Sequence, residues 1–426
     1  MKYESSSIKL DDKLYSATKA DVDEIQIIKD ATSIKQHIVD ETLETCDDGM
    51  LVEQHKDICD FGSSSSSSEG SQPVSNKIYG VSWSNGSSTT MTRTDDAIEM
   101  TYLMDTSTGK VVSDFDHVFP YNQMKRQVIN GNTFVYVPAM WFRVGVDSSQ
   151  RITSVAVSGV KGEGDNWYST RPFYYGAYGA SSDGTILKSV SGVSRLNNVT
   201  RATARQRAMA VGEKYHQKDL YASTILMFLW WIEFATKNSS SVTMLVTSST
   251  GLLTGNTDEL YNDVEGNDFC VTGRVYKNAS FQIMWHGIED YLGNYFEFED
   301  GVTGNGTASS TIYASDNYTL YDDYSGGSQM SSLSYRSTFN NTYKATVVSI
   351  GWDKDKPFLC LPMTHSLIDD NWKTYFCDGG TMWSNKAVVT QGRVYDSYGS
   401  EGLVYISTQE SSYKNSQVGC RLMKEA

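Results

Sequence analysis

The chain has 426 residues, of which 39% are hydrophobic, 12% aromatic and 20% charged, and its net charge is -15. This length can bury a substantial core and predicts two or three domains, while the abundance of Gly, Tyr, Ser, Thr and Asn favours a β-rich protein with many loops. Because the negative charge would repel phosphates and no cluster of Lys and Arg relieves it, we expect no nucleic-acid partner.

Residues 1–62 are charged, poor in aromatic residues and compatible with a helix, and we interpret them as an N-terminal helical anchor or oligomerisation segment. Asp21 with Glu24 three residues later has the pattern of a capping box and predicts a helix over 21–44. A single amphipathic helix packed on its own chain is the alternative to self-association or docking onto a larger assembly. The seam that suggests association has the coiled-coil spacing 4, 3, 4 and consists of Ile27, Ala31, Ile34 and Ile38.

The start of the chain lacks the apolar region of a signal peptide, and the longest apolar run, 225–232, is too short to span a bilayer. We therefore expect synthesis in a cytoplasm and no membrane insertion. Six cysteines lie far apart without a C-x-x-C pair, so we expect them to be reduced and structural.

A Ser-rich linker over 63–76, which contains SSSSSSEGSQP, is the clearest domain boundary. After it, the runs IYGVSW, TTMTRT and IEMTYLM, separated by turn residues, predict a small β module over 77–119. The stretch FVYVPAMWFRVGV at 134–146 predicts one strand, with SQRITSVAVSG as its hairpin partner.

Two helices are predicted next. The first begins at a cap formed by Thr200 or Asn198 and ends before Gly212, and the second is capped by Asp219. Apolar residues surround most of the second helix, so it must be buried. Helical periodicity disappears beyond Asn238, which leaves a region of short strands and long loops.

Three runs in this order resemble the C-type lectin fold as it occurs in formylglycine-generating-enzyme-like domains: YHQKDLYASTILMFLWWIEFATKNSS, GIEDYLGNYFEFEDG and the terminal SQVGCRL. They resemble its central helix, its GN-x-W-E-W-x-D-G segment, with Phe296 and Phe298 in place of Trp, and its G-F-R-L ending. The resemblance covers about 78–426 and implies an α+β fold class. A C-type lectin domain rich in short strands and long loops would occupy 120–426, preceded by the β module and the helical segment.

Upstream, YGVSWSNGSSTTMTRTDDA and FPYNQMKRQVINGNTFVYVPAMWFRV are similar to lectin-fold tail proteins of phages and prophages of gut bacteria. The resemblance implies a receptor-binding protein of the virion tail that recognises a host cell-surface glycan or protein. It also implies attachment to other tail or virion proteins through the N-terminal segment, and a homo-oligomer, with a trimer favoured. A structural virion component without a receptor and an enzyme related to the formylglycine-generating oxidases are the alternatives.

The residues 375–413 combine aromatic rings with small polar side chains, a composition typical of paratopes and of sugar-binding surfaces. In relatives diversified by retroelements this segment carries the variable residues. Packing of these loops on each other or on a neighbouring subunit is the alternative. The predicted ligand-binding residues are Trp383, Asn385, Tyr395, Asp396, Tyr398, Tyr405 and Tyr413.

We expect no enzyme activity, no catalytic residues and no bound copper or iron. The oxidases of this fold use two closely spaced cysteines near the C-terminus, whereas here only Cys420 lies there and Cys377 is far upstream. His216, His286 and His365 are dispersed and lack the H-x-E pair of the iron-dependent relatives.

Adjacent acids, Glu289 with Asp290 and Asp322 with Asp323, leave glycoside hydrolysis as a minor alternative. We expect no cofactor, although calcium stays open because Asp290, Asn294 and main-chain carbonyls near Gly293 could supply oxygen ligands.

Overall fold

Strands form most of the regular structure of the chain, and helices are few. The chain divides into two compact units, 1–72 and 73–426. The computed structural model describes residues 6–10, 13–17, 75–105, 109–243, 253–261, 272–277, 280–293, 295–304, 311–324, 327–333, 345–367, 375–377, 379–381, 388–391 and 402–426.

The strands of these residues follow one another in chain order. They are β1 (Ser6–Leu10), β2 (Lys13–Ala17), β3 (Ile78–Ser82), β4 (Thr92–Asp95), β5 (Tyr102–Met104), β6 (Val111–Ser113), β7 (Arg126–Ile129), β8 (Asn132–Val137), β9 (Trp141–Val146), β10 (Ile152–Ser158), β11 (Trp167–Ser169), β12 (Phe173–Gly176), β13 (Ser181–Ser182), β14 (Leu187–Lys188), β15 (Tyr215–Gln217), β16 (Gly273–Lys277), β17 (Ser280–Trp285), β18 (Ile288–Glu289), β19 (Phe296–Gly304), β20 (Ile312–Ala314), β21 (Ser331–Ser332), β22 (Ala345–Trp352), β23 (Cys360–Leu367), β24 (Gly379–Thr381), β25 (Val388–Gln391), β26 (Ile406–Gln409), β27 (Val418–Gly419) and β28 (Leu422–Glu425).

The helices are short except for one. The α-helices are α1 (Arg201–Met209), α2 (Leu220–Phe234), α3 (Ser239–Thr243) and α4 (Asp258–Tyr261), and the 3-10 helices are Asp114–His117, Tyr121–Gln123 and Tyr318–Leu320. Among the described helices, none combines the length and the apolar character that crossing a membrane requires.

In the first unit, β1 and β2 form an antiparallel hairpin, with Ile8 opposite Tyr15. These residues belong to the segment that we expected to be helical. An Ile and a Tyr at paired positions favour a strand pair over a helix. The predicted helix over 21–44 and its apolar seam lie outside the described residues.

The first sheet of the second unit has the strand order β11-β9-β10-β3-β4. The predicted hairpin of β9 and β10 is confirmed, since Val155 pairs with Val144. However, β10 also pairs β3, so the first strands after the linker do not form a separate module that ends near Phe119. The reason is that the middle of β3 is buried, and a buried strand needs neighbours on both edges.

A second five-stranded sheet has the order β15-β28-β12-β8-β7. The stretch predicted as one strand over 134–146 is two strands, β8 and β9, which lie in different sheets. Pro138 separates them, because proline has no N–H for a ladder and restricts the residue before it. The last strand, β28, shares this sheet with β7 and β8 but is separated from them by β12.

Helix α2 lies at the centre of the second unit. Asp219 caps it, its side chain accepting from the Ala222 N–H at 2.9 Å, and every residue of the helix is buried, as predicted. It contacts β3 and β10 of the first sheet and β19 of a larger sheet. Ring contacts tie it to the core, among them Trp83 with Trp231 at 5.2 Å between centroids. Helix α1 is capped by Thr200, one of the two predicted caps.

The larger sheet has the order β21-β20-β19-β25-β26-β24-β22-β23, and β27 pairs β19 in parallel. Strands β16, β17 and β18 form a separate three-stranded sheet, and β5 pairs β6, as β13 pairs β14. Two of the three motifs of the resemblance, on β19 and at the chain end, therefore lie side by side through β19 and β27.

Candidate functional site

Two of the seven predicted binding residues, Tyr405 and Tyr413, lie in the described residues, and both are half-buried. The Tyr405 ring packs on Phe296, with 5.2 Å between centroids. Tyr413 packs, as Phe296 does, against the buried pair of Phe298 and Val418. The structure therefore brings both tyrosines onto β19, and each keeps part of its ring exposed.

The other five predicted residues are outside the described residues, but the strands on either side of them belong to the large sheet. Trp383 and Asn385 fall between β24 and β25 in the sequence, and Tyr395, Asp396 and Tyr398 fall between β25 and β26. Strand β26 pairs both β25 and β24, and β25 pairs β19. The first stretch of chain thus begins and ends on the two neighbours of β26, and the second begins and ends on the adjacent strands β25 and β26.

Strand β19 carries three buried carboxylates, Glu297, Glu299 and Asp300. Each carboxylate is paired with a cation, which offsets the cost of removing charge from water. Glu297 lies 2.9 Å from the Arg421 guanidinium and 3.3 Å from the Lys218 ammonium, which is also 3.4 Å from Glu299. Asp300 accepts from Arg205 at 2.6 Å.

These neighbours shift the pKa values in opposite directions. Burial opposes the charge of Glu297, but Arg421 and Lys218 outweigh it and hold its pKa below the ordinary value. Burial dominates at Glu299 and raises its pKa to about 7, with Lys218 only partly compensating. The strand that supports the predicted surface is therefore held by ion pairs as well as by apolar packing.

Gly301 gives β19 an irregular backbone. Its φ is 73°, a left-handed value that favours glycine, and the register against β25 shifts between Glu299 and Thr303. A Cβ at Gly301 would meet the Ser315 carbonyl oxygen at 2.9 Å. Gly301 is therefore part of a bulge within β19.

A second polar group surrounds His216, next to the cap of α2. His216 Nδ1 is 3.5 Å from Asp219, its Nε2 is 3.6 Å from Glu425, and its ring stacks on Tyr318. Burial lowers the pKa of His216, but Glu425 and Asp219 outweigh it and raise the pKa above the ordinary value. Asp219 also accepts from the Tyr321 hydroxyl at 2.8 Å, so this histidine belongs to a structural network.

The acids considered for calcium or hydrolysis also have protein partners. Asp290 is bound by the Arg195 guanidinium and accepts from Gln282 Nε2 at 2.8 Å, so a cation already occupies the place of a calcium ion. Glu289 accepts from the Thr257 hydroxyl at 2.8 Å. Asp323 accepts from Arg201 at 2.7 Å. Asn294 is outside the described residues.

The cysteines of the described residues, Cys360, Cys377 and Cys420, are buried and form no disulfide. Burial raises the pKa of the Cys360 and Cys420 thiols. A raised pKa makes a thiol inert at neutral pH. His365, on β23, has its pKa lowered by partial burial.

Within the described part of the chain, one group of side chains could hold a metal ion: Asp116, Glu233 and His286. Burial raises the pKa of Asp116 to about 6. The sequence does not indicate this group, because its members are more than fifty positions apart and belong to no spaced motif. Only their convergence in the fold identifies them.

No family model matches the chain, and a search of curated proteins finds no match.

Proposed function

We propose that this chain is a receptor-binding protein of a phage or prophage tail, and that its C-terminal loops recognise a glycan or a protein on the bacterial host surface. The observation that carries the proposal is the placement of Tyr405 and Tyr413. Both rings come from the aromatic, Ser/Gly-rich segment and are half-buried on one ion-paired strand. Aromatic rings fixed on a rigid strand lose little freedom when they bind a ligand.

A C-type lectin domain is the fold that we propose for the second unit. Its support is the contact between two of the three motifs that carry the resemblance. Strand β27, from the SQVGCRL ending, pairs β19, from the GNYFEFEDG segment, and Arg421 forms a buried ion pair with Glu297. The largely β architecture around one buried helix agrees with this fold.

The proposed protein acts by binding and has no catalytic step of its own. Tyr and Trp rings stack on sugar faces and also dominate protein contacts, so either kind of receptor fits the composition. We further propose that copies of the chain assemble as a homo-oligomer, with a trimer favoured, attached to the virion tail through the N-terminal segment. Several sites on one particle raise weak single-site affinity through effective concentration.

Binding of the labelled full chain to intact cells tests the proposal. We would screen a panel of gut bacteria by flow cytometry and compare the wild type with the double variant Tyr395→Ala/Tyr398→Ala. Truncating a central aromatic anchor costs about 2 kcal/mol or more, so affinity should fall about thirtyfold. Unchanged binding by this variant would place the site elsewhere.

The matched control is Tyr136→Ala/Tyr174→Ala. These half-buried rings contact each other at 5.4 Å on β8 and β12, in a different sheet, so their loss should leave cell binding unchanged. Periodate treatment of the cells abolishes binding if the receptor is a glycan, and protease treatment does so if it is a protein. If no strain of the panel binds the wild type, the receptor-binding proposal fails.

A further inference from the structure

Three side chains from distant parts of the sequence converge at one buried point. Asp116 comes from the 3-10 helix Asp114–His117, Glu233 from the last turn of α2, and His286 from the turn between β17 and β18. Each offers one ligand atom, and these atoms all lie within 4.8 Å of one another. Glu233 and His286 are buried, and the Asp116 side chain is 15% exposed, so the group borders on solvent at Asp116.

Neighbouring residues hold the two carboxylates in place by one oxygen each. The Ser113 N–H donates to Asp116 Oδ2 at 3.2 Å, which closes the capping box of the 3-10 helix. Trp285 Nε1 donates to Glu233 Oε2 at 2.7 Å. Such outer contacts are typical of metal sites, where they orient the ligands before the ion arrives.

The other oxygen of each carboxylate is buried without a hydrogen-bond partner. These atoms are Asp116 Oδ1 and Glu233 Oε1. Burying an unsatisfied acceptor is unfavourable, and an unsatisfied carboxylate oxygen more so. Arg93 donates through its guanidinium to the main-chain carbonyl of Glu233 and interacts electrostatically with that residue, yet Glu233 Oε1 stays without a hydrogen bond. A cation bound beside the imidazole would satisfy both oxygens.

The backbone at His286 indicates that the position of this ring matters. His286 and Gly287 form the two-residue connection of a hairpin, and both have positive φ, 44° and 81°. Turns of this kind favour Asn or Asp followed by Gly, because other side chains are strained there. Here a histidine takes the first position, and its Nε2 lies 3.0 Å from Glu233 Oε2 while its Nδ1 lies 3.8 Å from Asp116 Oδ1.

We propose that Asp116, Glu233 and His286 bind one divalent first-row cation, with Zn²⁺ preferred. One imidazole nitrogen and two carboxylate oxygens suit Zn²⁺, whereas Mg²⁺ and Ca²⁺ prefer oxygen-only ligands. Ligands around a tetrahedral Zn²⁺ lie about 3.4 Å apart at bond lengths near 2.1 Å. The ligand atoms, which lie within 4.8 Å of one another, would have to move closer to reach that spacing, and water would take the fourth position.

The ion would join the 3-10 helix, the central helix and the β17–β18 hairpin, and would therefore stabilise the fold. Its role is independent of receptor binding, and Zn²⁺ has no redox chemistry, so the site does not restore an oxidase. The other arrangement open to these groups is a protonated His286 shared by the two carboxylates, which needs no metal.

Metal titration of the full chain distinguishes these two arrangements. Protein stripped with EDTA and dialysed against a small excess of Zn²⁺ should retain one equivalent per chain by elemental analysis, and its melting temperature should rise. Co²⁺ in place of Zn²⁺ should give the visible absorption of a low-coordinate site. A stripped protein that takes up no Zn²⁺ and shows no thermal shift would overturn the proposal, as would equal retention of Ca²⁺.

Three variants locate the site. Glu233→Gln and Asp116→Asn should each weaken Zn²⁺ affinity at least tenfold, and Asn at position 116 can still accept the capping hydrogen bond from Ser113. Glu299→Gln is the matched control, because it neutralises another buried carboxylate outside this group and should leave Zn²⁺ affinity unchanged. If Glu233→Gln does not fold, Asp116→Asn decides: wild-type affinity in that variant would contradict the assignment.

Discussion

Replacing Arg421 by Met tests whether the ion pair that joins the two motifs holds the second unit together. The Arg421 side chain is fully buried. Besides its 2.9 Å contact with Glu297, it donates to the main-chain carbonyls of Gly176 and Glu289, each at 2.9 Å. The substitution removes all three interactions and fits an unbranched apolar chain into similar space.

The expected loss of stability has two sources, the charge left on Glu297 and the main-chain carbonyls that lose a hydrogen-bond donor. Removing one partner of a buried ion pair costs about 3–5 kcal/mol, because the other charge is left uncompensated. Lys218, 3.3 Å from Glu297, still neutralises part of that charge, which favours the lower end of the range. The carbonyls of Gly176 and Glu289, which lose a donor, add about 1 kcal/mol each. We therefore expect Arg421→Met to destabilise the protein by about 5 kcal/mol.

Urea denaturation, followed by tryptophan fluorescence, measures this change through the shift of the midpoint. The double variant Arg421→Met/Glu297→Met should recover part of the loss, because it removes the orphaned charge as well. A loss below about 1 kcal/mol for Arg421→Met, or a double variant as unstable as the sum of its parts, would refute the reasoning that this pair is the junction.

Three further predictions follow from other parts of the fold. The folded pKa of Glu299, about 7, lies above the ordinary value of 4.5, so the contribution of this group to stability is full below pH 4.5 and is lost as the pH rises through 7. The contribution amounts to about 3 kcal/mol. Glu299→Gln should remove that part of the pH dependence of stability, as measured by urea titrations. Asp219→Ala should cost about 2–3 kcal/mol in thermal unfolding, because it removes the cap of α2 and the acceptor of the Tyr321 hydroxyl, whereas Asp219→Asn should cost less; equal losses would argue against the cap. A chain that begins at Gln72 should unfold as cooperatively as the full chain but lose oligomeric mass or incorporation into particles, as measured by light scattering and immunoblots; aggregation would show that the two units share a core.

Local signals predicted two of the described helices, α1 and α2. Asp219 is the cap of α2 and Thr200 the cap of α1, because a capping side chain and its target N–H are two or three positions apart in the sequence. The all-round apolar pattern of α2 likewise required its burial. Pro138 is also a local signal, because a residue without an N–H interrupts a strand, and it divides the one predicted strand into two.

The strand order and the buried ion pairs could not be predicted from the sequence, because both depend on pairing between distant segments. Strand order depends on which distant edges meet, and nothing local in β3 shows that its partner is β10. The same holds for β19. Its acidic residues have the sequence pattern of a solvated face, but their partners Arg421, Lys218 and Arg205 come from three other segments of the chain.

The candidate binding surface was predictable by composition, since Tyr405 and Tyr413 stand in an aromatic-rich, polar segment. Their support on Phe296 and Phe298 was not, because it depends on the pairing of the chain end with β19. The group of Asp116, Glu233 and His286 left no trace in the sequence, as its members come from a 3-10 helix, an α-helix and a hairpin turn.

Competition between the free protein and the virion tests the receptor-binding proposal most directly. Host cells would be incubated with increasing amounts of the purified full chain, and adsorption of the phage that encodes it would then be counted by plaque assay. We predict that the wild-type chain reduces adsorption in a dose-dependent manner, whereas the Tyr395→Ala/Tyr398→Ala variant does not. Adsorption that stays unchanged at saturating wild-type protein would contradict receptor binding by this chain.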